Sequence, residues 1–285
     1  MTDQAGYQLL LPRRWTTPAV FNSPHSGHLF PESFLATTRL SALDLRRSED
    51  FAIDELFGFA PALGAPLLAA EISRAVVDLN REPWELDPRM FDGPLPGYVV
   101  TDSPRVLAGL GTLPRLAGDG GEICRARLSF AEAEARIERW YRPYHRRLDE
   151  LVSRTVRRFG AGLLVDCHSM PSGDDRVADI VLGDRHGSSC DRGLAQALAD
   201  SLRAAGFSVA RNQPYAGGFI TQSHGQPSLC RHALQIEVNR GLYMNERRLE
   251  KRPDFDLIAQ RLTRSFRDFL ADLPALLQPQ RRAAE

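Results

Sequence analysis

Two histidines of this sequence each stand at the end of an apolar run and directly before a serine. His25 follows AVFNSP at 19–24, and His168 follows GLLVDC at 162–167. Short apolar runs that lead into turn residues are typical of buried strands, so we predict both imidazoles at strand ends. Ligands of open α/β sheets bind beyond the carboxyl ends of strands, where the two histidines can meet. Two imidazoles and a carboxylate are a typical ligand set of a catalytic zinc site, which leaves one position for water.

The residues leave the identity of the third ligand open. His28 follows the first histidine by three positions, whereas Glu49 and Asp50 belong to a charged segment that we predict to be a helix over 42–59. Asp50 is the better candidate as a hard anionic ligand, and Asp54, four residues later, is expected on the same helix face in a supporting role. The alternative is that these acidic side chains form a solvated helix face, since no local motif such as HExxH is present.

A glutamate is expected to face the same crevice from another strand. Period-two alternation places Gln235 and Glu237 on one face of an apolar segment that we predict to be a strand over 233–238. A carboxylate buried in a strand is costly unless it is paired or functional. Close to a metal ion, Glu237 suits the role of a general base, and a structural ion pair with Arg81 or Arg240 is the alternative.

Three arginines are candidates for binding a substrate carboxylate or for stabilising an oxyanion, because a guanidinium forms paired hydrogen bonds with a carboxylate. Arg81 follows a short apolar run, which we predict to be a strand over 76–79. Arg74 and Arg240 compete for the same role.

Strands and helices alternate along most of the chain, which predicts an α/β fold with a mixed or largely parallel sheet. The long helix is expected to begin at a capping box of Ser129 and Glu132 and to be disturbed at Pro143. The length of 285 residues and the hydrophobic content of 43% favour one domain over 1–285. We expect further strands at 66–72, 178–182 and 207–210, and helices at 131–159, 190–205 and 255–276.

Prolines and glycines crowd the segment 82–121, which shows no clear periodicity. A segment of this length without regular structure is typically a functional loop or a lid, and we predict such a region here. Residues 278–285 are expected to form a polar tail.

Composition excludes several classes of partner and site. With 36 basic and 36 acidic residues, the formal net charge is zero, so neither nucleic acid nor an anionic membrane is an expected partner. No apolar run approaches a membrane span and the start lacks a signal-peptide pattern, so a soluble, cytoplasmic protein is expected. The cysteines form no CxxC pair, which predicts free thiols at Cys124, Cys167, Cys190 and Cys230.

Five motifs occur in one order along the chain: NSPHSG at 22–27, RAVVDLNR at 74–81, DCHS at 166–169, GGFIT at 217–221 and HALQIEVNRGLYM at 232–244. Together with RIERWYRPYH at 136–145, they resemble the N-formylglutamate amidohydrolase family. The resemblance runs from about residue 21 to residue 244. It implies a three-layer α/β/α domain like that of the zinc carboxypeptidases, and a hydrolase with one zinc ion that acts on an amide next to a free carboxylate.

The resemblance also implies roles for individual residues. His25 and His168 would be metal ligands, Glu237 the general base, and Arg81 the residue that polarises the scissile carbonyl or holds the substrate. His28 stands where carboxypeptidases have an acidic ligand, but the family pattern has an acidic residue in the following helix, which favours Asp50. Substrate contacts would come from Arg240, Thr221, Asn80, Gln235 and Arg74, while Asp166 would orient a ligand histidine, with Asp54 also behind the ligands.

The resemblance implies hydrolysis of N-formyl-L-glutamate to formate and L-glutamate, as in histidine degradation. In this mechanism Glu237 takes a proton from water and returns it to the leaving amine, while zinc and an arginine stabilise the oxyanion. Two alternatives are another deacylase of N-acyl amino acids and a small-peptide carboxypeptidase. A third is a binding module for metal or carboxylate without catalytic activity.

Overall fold

The computed structural model describes residues 6–118, 120–173 and 177–278. The strands of the main sheet are β1 Tyr7–Leu10, β2 Ala19–Ser23, β3 Leu67–Ala70, β4 Gly162–Met170, β5 Ile180–Gly183, β6 Val209–Arg211 and β7 Arg231–Asn239. Within the described ranges these seven strands form one sheet in the order β1-β3-β2-β4-β7-β5-β6. Strands β3, β2, β4 and β7 are mutually parallel, whereas β1 pairs antiparallel with β3 and β5 pairs antiparallel with β7. The predicted α/β class with a mixed, mostly parallel sheet is confirmed.

Helices cover both faces of this sheet, and a small hairpin of β8 Met244–Asn245 and β9 Glu250–Lys251 lies outside it. The α-helices are α1 Glu32–Thr37, α2 Ala42–Arg46, α3 Ile53–Leu56, α4 Pro104–Leu107, α5 Phe130–Arg136, α6 Arg142–Phe159, α7 Arg192–Ala204, α8 Phe219–His224 and α9 Phe255–Leu276. Short 3₁₀ turns occur at Pro61–Leu63, Pro88–Met90, Arg185–Gly187, Pro227–Leu229 and Arg240–Leu242. None of the helices in the described ranges is long and apolar enough to cross a membrane.

The two faces of the central strands have different compositions because side chains alternate along a strand. One face is apolar over most of its length and packs with α3, α7 and α9 in one cluster. The other face packs against α5 and α6 through Val20, Leu164 and Ala233. Toward the carboxyl ends this second face becomes polar, with Asn22 in β2, Asp166 and His168 in β4, and Gln235 and Glu237 in β7. The polar groups of three adjacent parallel strands therefore meet at one edge of the sheet.

The long helical segment that covers this face begins as predicted. Ser129 and Glu132 form a capping box at the start of α5. A π-helical turn, Ile137–Tyr141, joins α5 to α6, and Pro143 lies in the first turn of α6. Proline donates no backbone hydrogen bond and crowds the preceding turn, which explains the disturbance that the sequence predicts here.

The predicted helix over 42–59 is wrong, because the chain forms α2 and α3 with a turn between them. Two tertiary hydrogen bonds use the backbone groups that a continuous helix would need. The N–H of Asp50 donates to the carbonyl of His25 at 2.9 Å, and the carbonyl of Glu49 accepts from Arg240 Nη2 at 2.8 Å. Ala52 then takes a left-handed conformation with φ 53°. Asp50 and Asp54 therefore do not share a helix face.

The predicted strand over 76–79 is also wrong. The N–H groups of Val76 and Val77 both donate to the carbonyl of Ser73, at 2.9 and 3.3 Å, and the N–H of Asp78 donates to the carbonyl of Thr112 at 2.7 Å. These bonds form a buried turn, whose apolar side chains join the cluster beneath α6. Periodicity in four residues cannot distinguish such a turn from a buried strand. Strand β1, a short edge strand, was not predicted.

The proline- and glycine-rich segment 82–121 contains a 3₁₀ turn and α4, and its remaining described residues form loops. Five of its residues, Arg105, Leu110, Pro114, Leu116 and Gly118, line a cavity that also borders the carboxyl ends of β4 and β7. The four cysteines are free, as predicted. Of the predicted polar tail, residues 279–285 lie outside the described residues.

Candidate active site

Three buried side chains that could hold a metal ion converge at the carboxyl ends of β2 and β4. His25 lies just beyond β2, His168 lies near the end of β4, and Asp50 lies in the turn between α2 and α3. Asp50 Oδ2 is 3.5 Å from His25 Nδ1 and 3.0 Å from His168 Nδ1. One ligand atom from each of the three residues lies within 4.8 Å of the others. Ligand atoms about 2.0–2.1 Å from one ion in a tetrahedral site are a little over 3 Å apart, so the spacing suits such an ion.

Both imidazoles are held so that Nδ1 faces this centre. His25 Nε2 lies 2.7 Å from Asp78 Oδ1, and His168 Nε2 lies 3.1 Å from Asp166 Oδ2. A carboxylate on the outer nitrogen of a histidine is the usual arrangement behind a metal ligand, because it fixes the tautomer and the ring orientation. Among the described residues, the buried Nδ1 of His25 has no hydrogen-bond partner. A divalent ion would satisfy that atom, so this donor set fits a metal such as zinc.

Burial and neighbouring charges have opposite effects on the pKa values of Asp50 and His168. Burial alone would raise the pKa of Asp50, but the hydrogen bond with His168 and the charges of the two nearby imidazoles hold it well below its usual range. Burial alone would lower the pKa of His168, but the negative charge of Asp166 and the hydrogen bonds with Asp166 and Asp50 raise it well above its usual range. Asp50 is therefore an anionic group, as a metal ligand must be.

The other residues considered as ligands lie elsewhere. His28 is exposed at the surface. Glu49 is buried and accepts hydrogen bonds from Arg46, with 2.8 Å between Nη2 and Oε1. Asp54 belongs to α3 and does not line the cavity, and burial raises the pKa of its carboxyl group. The structure therefore brings together Asp50 and the two histidines, but it does not place Asp54 behind them.

Glu237 lies beside this centre on the neighbouring strand. It is the register partner of His168 in the parallel pair of β4 and β7, and its side chain lines the cavity. Gln235 Nε2 donates a hydrogen bond to Glu237 Oε1 at 2.8 Å. Burial raises the pKa of Glu237 to about 7, and the negative charges of Asp50 and Asp166 act in the same direction. A carboxyl group in this environment can both accept and donate a proton near neutral pH.

The three arginines of the sequence analysis reach the cavity, but each is held by protein partners. Arg74 donates to Asp78 Oδ2 at 2.7 Å. Arg240 donates to Ser169 Oγ at 3.0 Å and to Asp50 Oδ1 at 3.1 Å.

Arg81 donates to the carbonyl oxygens of Leu110 and Asn80, at 3.0 Å each. Burial lowers the pKa of Arg81, and the positive charges of Arg74 and Arg105 add to that effect.

Of the predicted substrate contacts, Thr221 alone does not line the cavity, since Arg74, Arg240, Asn80 and Gln235 all border it. Asn80 Nδ2 lies 3.2 Å from His168 Nε2, and its Oδ1 accepts from the N–H of Ile220. Gln235 also lines the cavity and accepts from the N–H of Gly218 at 2.8 Å. Thr221 is fully buried outside the cavity, and its hydroxyl donates to the carbonyl of Gly218 at 2.9 Å. Thr221 therefore supports the loop beneath the cavity instead of contacting a ligand there.

The cavity has a volume of about 470 Å³, which is sufficient for an amino acid derivative. We call the buried part of its lining, which includes the candidate metal ligands and Glu237, the inner wall, and the partly exposed part the outer wall. Its outer wall includes two arginines that the sequence analysis missed, Arg47 and Arg105. No motif marked them, because Arg47 lies just after α2 and Arg105 lies within the irregular segment 82–121.

A sequence profile described as N-formylglutamate amidohydrolase matches residues 17–244 of this chain. The chain belongs to the N-formylglutamate amidohydrolase family. It is similar to the N-formylglutamate deformylase of Pseudomonas aeruginosa, with 35% identity over 249 residues that cover 84% of this chain and 86% of the relative. The corresponding protein of Pseudomonas putida is 32% identical over 240 residues, which cover 80% and 82% of the two chains.

A crystal structure of N-formylglutamate amidohydrolase from Ralstonia eutropha JMP134 superimposes on this family member with a TM-score of 0.87. The two are 34% identical, and the match covers 94% of this chain and 99% of the other. Family membership makes this protein an amidohydrolase. The family resemblance predicted from its sequence motifs is therefore confirmed.

The helical motif of this amidohydrolase, at 136–145, holds the loops of the site. His145 Nε2 donates to the carbonyl of Leu79 at 2.9 Å, and Tyr141 donates to the carbonyl of Arg81 at 2.6 Å. These two bonds position the backbone on both sides of Asn80.

A second tyrosine of the same motif begins a chain of hydrogen bonds that ends at a candidate metal ligand. Tyr144 donates to Asn22 Oδ1 at 2.6 Å, and Asn22 Nδ2 donates to Asp166 Oδ1 at 2.7 Å. Asp166 then lies beside His168 Nε2. Tyr144, Asn22 and Asp166 are completely buried. This chain fixes the carboxylate that in turn orients the imidazole of His168.

We expect Tyr144→Phe to weaken zinc binding by up to about tenfold, the lower end of effects from groups behind metal ligands. The variant frees Asn22 to turn, so that Asp166 orients His168 less firmly. Competition with a chromophoric chelator measures the affinity. Tyr141→Phe is the matched control, since its hydroxyl bonds to the Arg81 carbonyl on the same helix, and it should retain zinc affinity. If both variants lost the same amount of zinc affinity, the hydrogen-bond chain from Tyr144 to His168 would not be the cause.

Proposed function

We propose that this amidohydrolase cleaves N-formyl-L-glutamate into formate and L-glutamate, with one zinc ion held by His25, Asp50 and His168. The observation that carries the proposal is the convergence of these three side chains beside Glu237 in a cavity bordered by arginines. The names of the relatives from Pseudomonas aeruginosa and Pseudomonas putida support the substrate. Formation of glutamate from this substrate would place the reaction in histidine degradation.

A bound zinc ion supplies Lewis-acid chemistry, which polarises a carbonyl group and lowers the pKa of water. The chain's own residues supply the proton transfers. Glu237 accepts a proton from the attacking water as the water adds to the formyl carbon. Its carboxyl group then donates that proton to the nitrogen of the leaving amine, whose bond to the formyl carbon breaks. Gln235, which donates to Glu237, fixes the orientation of the carboxylate during both transfers.

The arginines have separate roles in this proposal. Arg81 supplies positive charge toward the oxygen of the formyl group, where negative charge develops in the transition state. Arg74 and Arg240 hold Asp78 and Asp50, so they orient the groups around the ion and do not act on the substrate directly.

A side-by-side assay of N-formyl-L-glutamate, N-acetyl-L-glutamate and a dipeptide with C-terminal glutamate, after loading with zinc or cobalt, tests the proposal. We expect the highest kcat/KM for the N-formyl substrate, together with one divalent ion per chain by elemental analysis. Preference for the N-acetyl compound or the dipeptide would indicate another deacylase or a carboxypeptidase. Activity in a protein free of divalent ions would contradict the zinc site.

A further inference from the structure

The cavity contains two kinds of arginine. Arg74, Arg81 and Arg240 each donate hydrogen bonds to protein acceptors at 2.7–3.1 Å. Among the described residues, the guanidinium groups of Arg47 and Arg105 form ion pairs but no hydrogen bond shorter than 3.5 Å. Arg47 Nε is 3.6 Å from Asp44, and Arg105 Nη1 is 3.9 Å from Glu85, both beyond hydrogen-bond distance. The N–H groups of these two outer arginines are therefore available to a ligand.

The backbone near Arg47 and Arg105 is held by hydrogen bonds, although the side chains of both residues are partly exposed. The N–H of Gly118 donates to Ser48 Oγ at 2.8 Å, which joins the outer wall to the turn after Arg47. The N–H of Leu110 donates to the Arg105 carbonyl at 2.8 Å, and the Leu110 carbonyl accepts from Arg81. These bonds hold the backbone of the loops that carry Arg47 and Arg105.

Charge at this wall favours an anion. Arg105 lies close enough to Arg81 for its positive charge to lower the pKa of Arg81, and the carboxylates of Asp78 and Glu85 offset part of this repulsion. The side chain of Arg105 is 40% exposed and that of Arg47 is 34% exposed. A ligand carboxylate would reduce this repulsion and form charge-assisted hydrogen bonds.

We propose that Arg105, together with Arg47, binds the side-chain carboxylate of the N-formyl amino acid and makes the enzyme selective for acidic substrates. This inference rests on the proposed function. The formyl group is at the inner wall beside Glu237, and the α-carboxylate is one carbon from the scissile nitrogen. The γ-carboxylate is separated from that nitrogen by three carbons, two more than the α-carboxylate, and extends toward the outer wall.

The test compares N-formyl-L-glutamate with N-formyl-L-glutamine, which has the same shape but an uncharged side chain. The measured quantity is the ratio of kcat/KM for the two substrates. Arg105→Gln should lower this ratio about tenfold, as expected for loss of a charge-assisted hydrogen bond at a partly exposed site. Arg47→Gln should lower it in the same direction, and Arg105→Lys should restore most of it because it retains the charge.

Arg248→Gln is the matched control. Arg248 is exposed, lies 4.0 Å from Glu250 in a loose ion pair like that of Arg105, and does not line the cavity. Its ratio should equal that of the unmodified enzyme. An unchanged ratio in Arg105→Gln, or an equal loss for both substrates, would overturn the inference while leaving the proposed function intact. An unmodified enzyme that hydrolyses neither N-formyl substrate would instead overturn the proposed function and this inference with it.

Discussion

Glu237→Gln is expected to lower kcat for N-formyl-L-glutamate by about 10²–10⁴-fold, the usual contribution of a general acid–base residue. The glutamine has the same shape and still accepts the hydrogen bond from Gln235, but it cannot take a proton from water or return one to the amine. Steady-state kinetics of the zinc-loaded variant give the measurement. KM should change much less than kcat, because the lost interaction belongs to the transition state.

Two controls separate this effect from damage to the site. Zinc content should remain at one ion per chain, since Glu237 is not among the proposed ligands. Glu246→Gln, which alters a glutamate outside the cavity that bonds to Ser172, should leave kcat within a few-fold. If Glu237→Gln retained nearly full activity, another group would have to be the base.

Asp50→Ala is expected to weaken zinc binding by more than about 100-fold, because loss of a group that only orients a ligand already costs 10–100-fold. The same variant should destabilise the metal-free protein by about 3–5 kcal/mol, since it leaves buried cationic groups without their carboxylate. Asp50 is the acceptor shared by His168, Ser169 and Arg240. Chelator competition measures the affinity, and urea unfolding without metal measures the stability.

Asp54→Asn and His28→Ala are the matched controls for this experiment. Both residues were considered as parts of the metal site, but His28 is exposed and Asp54 lies outside the cavity. Neither variant should change zinc affinity measurably. Asp54→Asn should also cost little stability, because burial already raises the pKa of that carboxyl group and disfavours its charged form. A loss of zinc in His28→Ala would point to a different ligand set.

The sequence predicts the parts of the site that lie on regular strands. His168, Gln235 and Glu237 follow period-two alternation, and their common face could be derived before any coordinates. The class of fold follows from the same alternation of strands and helices. The long helix is marked at its start by Ser129 and Glu132, whose capping chemistry is local and therefore visible in the sequence.

Elements whose conformation depends on tertiary contacts could not be predicted in this way. The segment around Asp50 has helical composition, but bonds from Asp50 to His25 and from Arg240 to Glu49 break it. The residues 76–79 are apolar because they are buried, and they form a turn because Thr112, more than 30 residues later, supplies an acceptor. Arg47 and Arg105 lack any sequence signal, since their position at the cavity depends on how irregular loops fold over the sheet.

The face alternation of β4 also makes this strand sensitive to a change in its length. Asp166 and His168 lie on the polar face of this strand, whereas Cys167 between them is buried in the opposite apolar layer. Insertion of one residue ahead of Asp166 within this strand would exchange the two faces, placing Asp166 and His168 among hydrocarbon side chains and Cys167 at the metal position. We expect such an insertion to disrupt both the apolar core and the candidate site. A single substitution on one face of the strand would disrupt either the core or the site. We therefore expect β4 to tolerate substitutions better than a change in length, and the irregular segment 82–121 to tolerate a change in length better than β4.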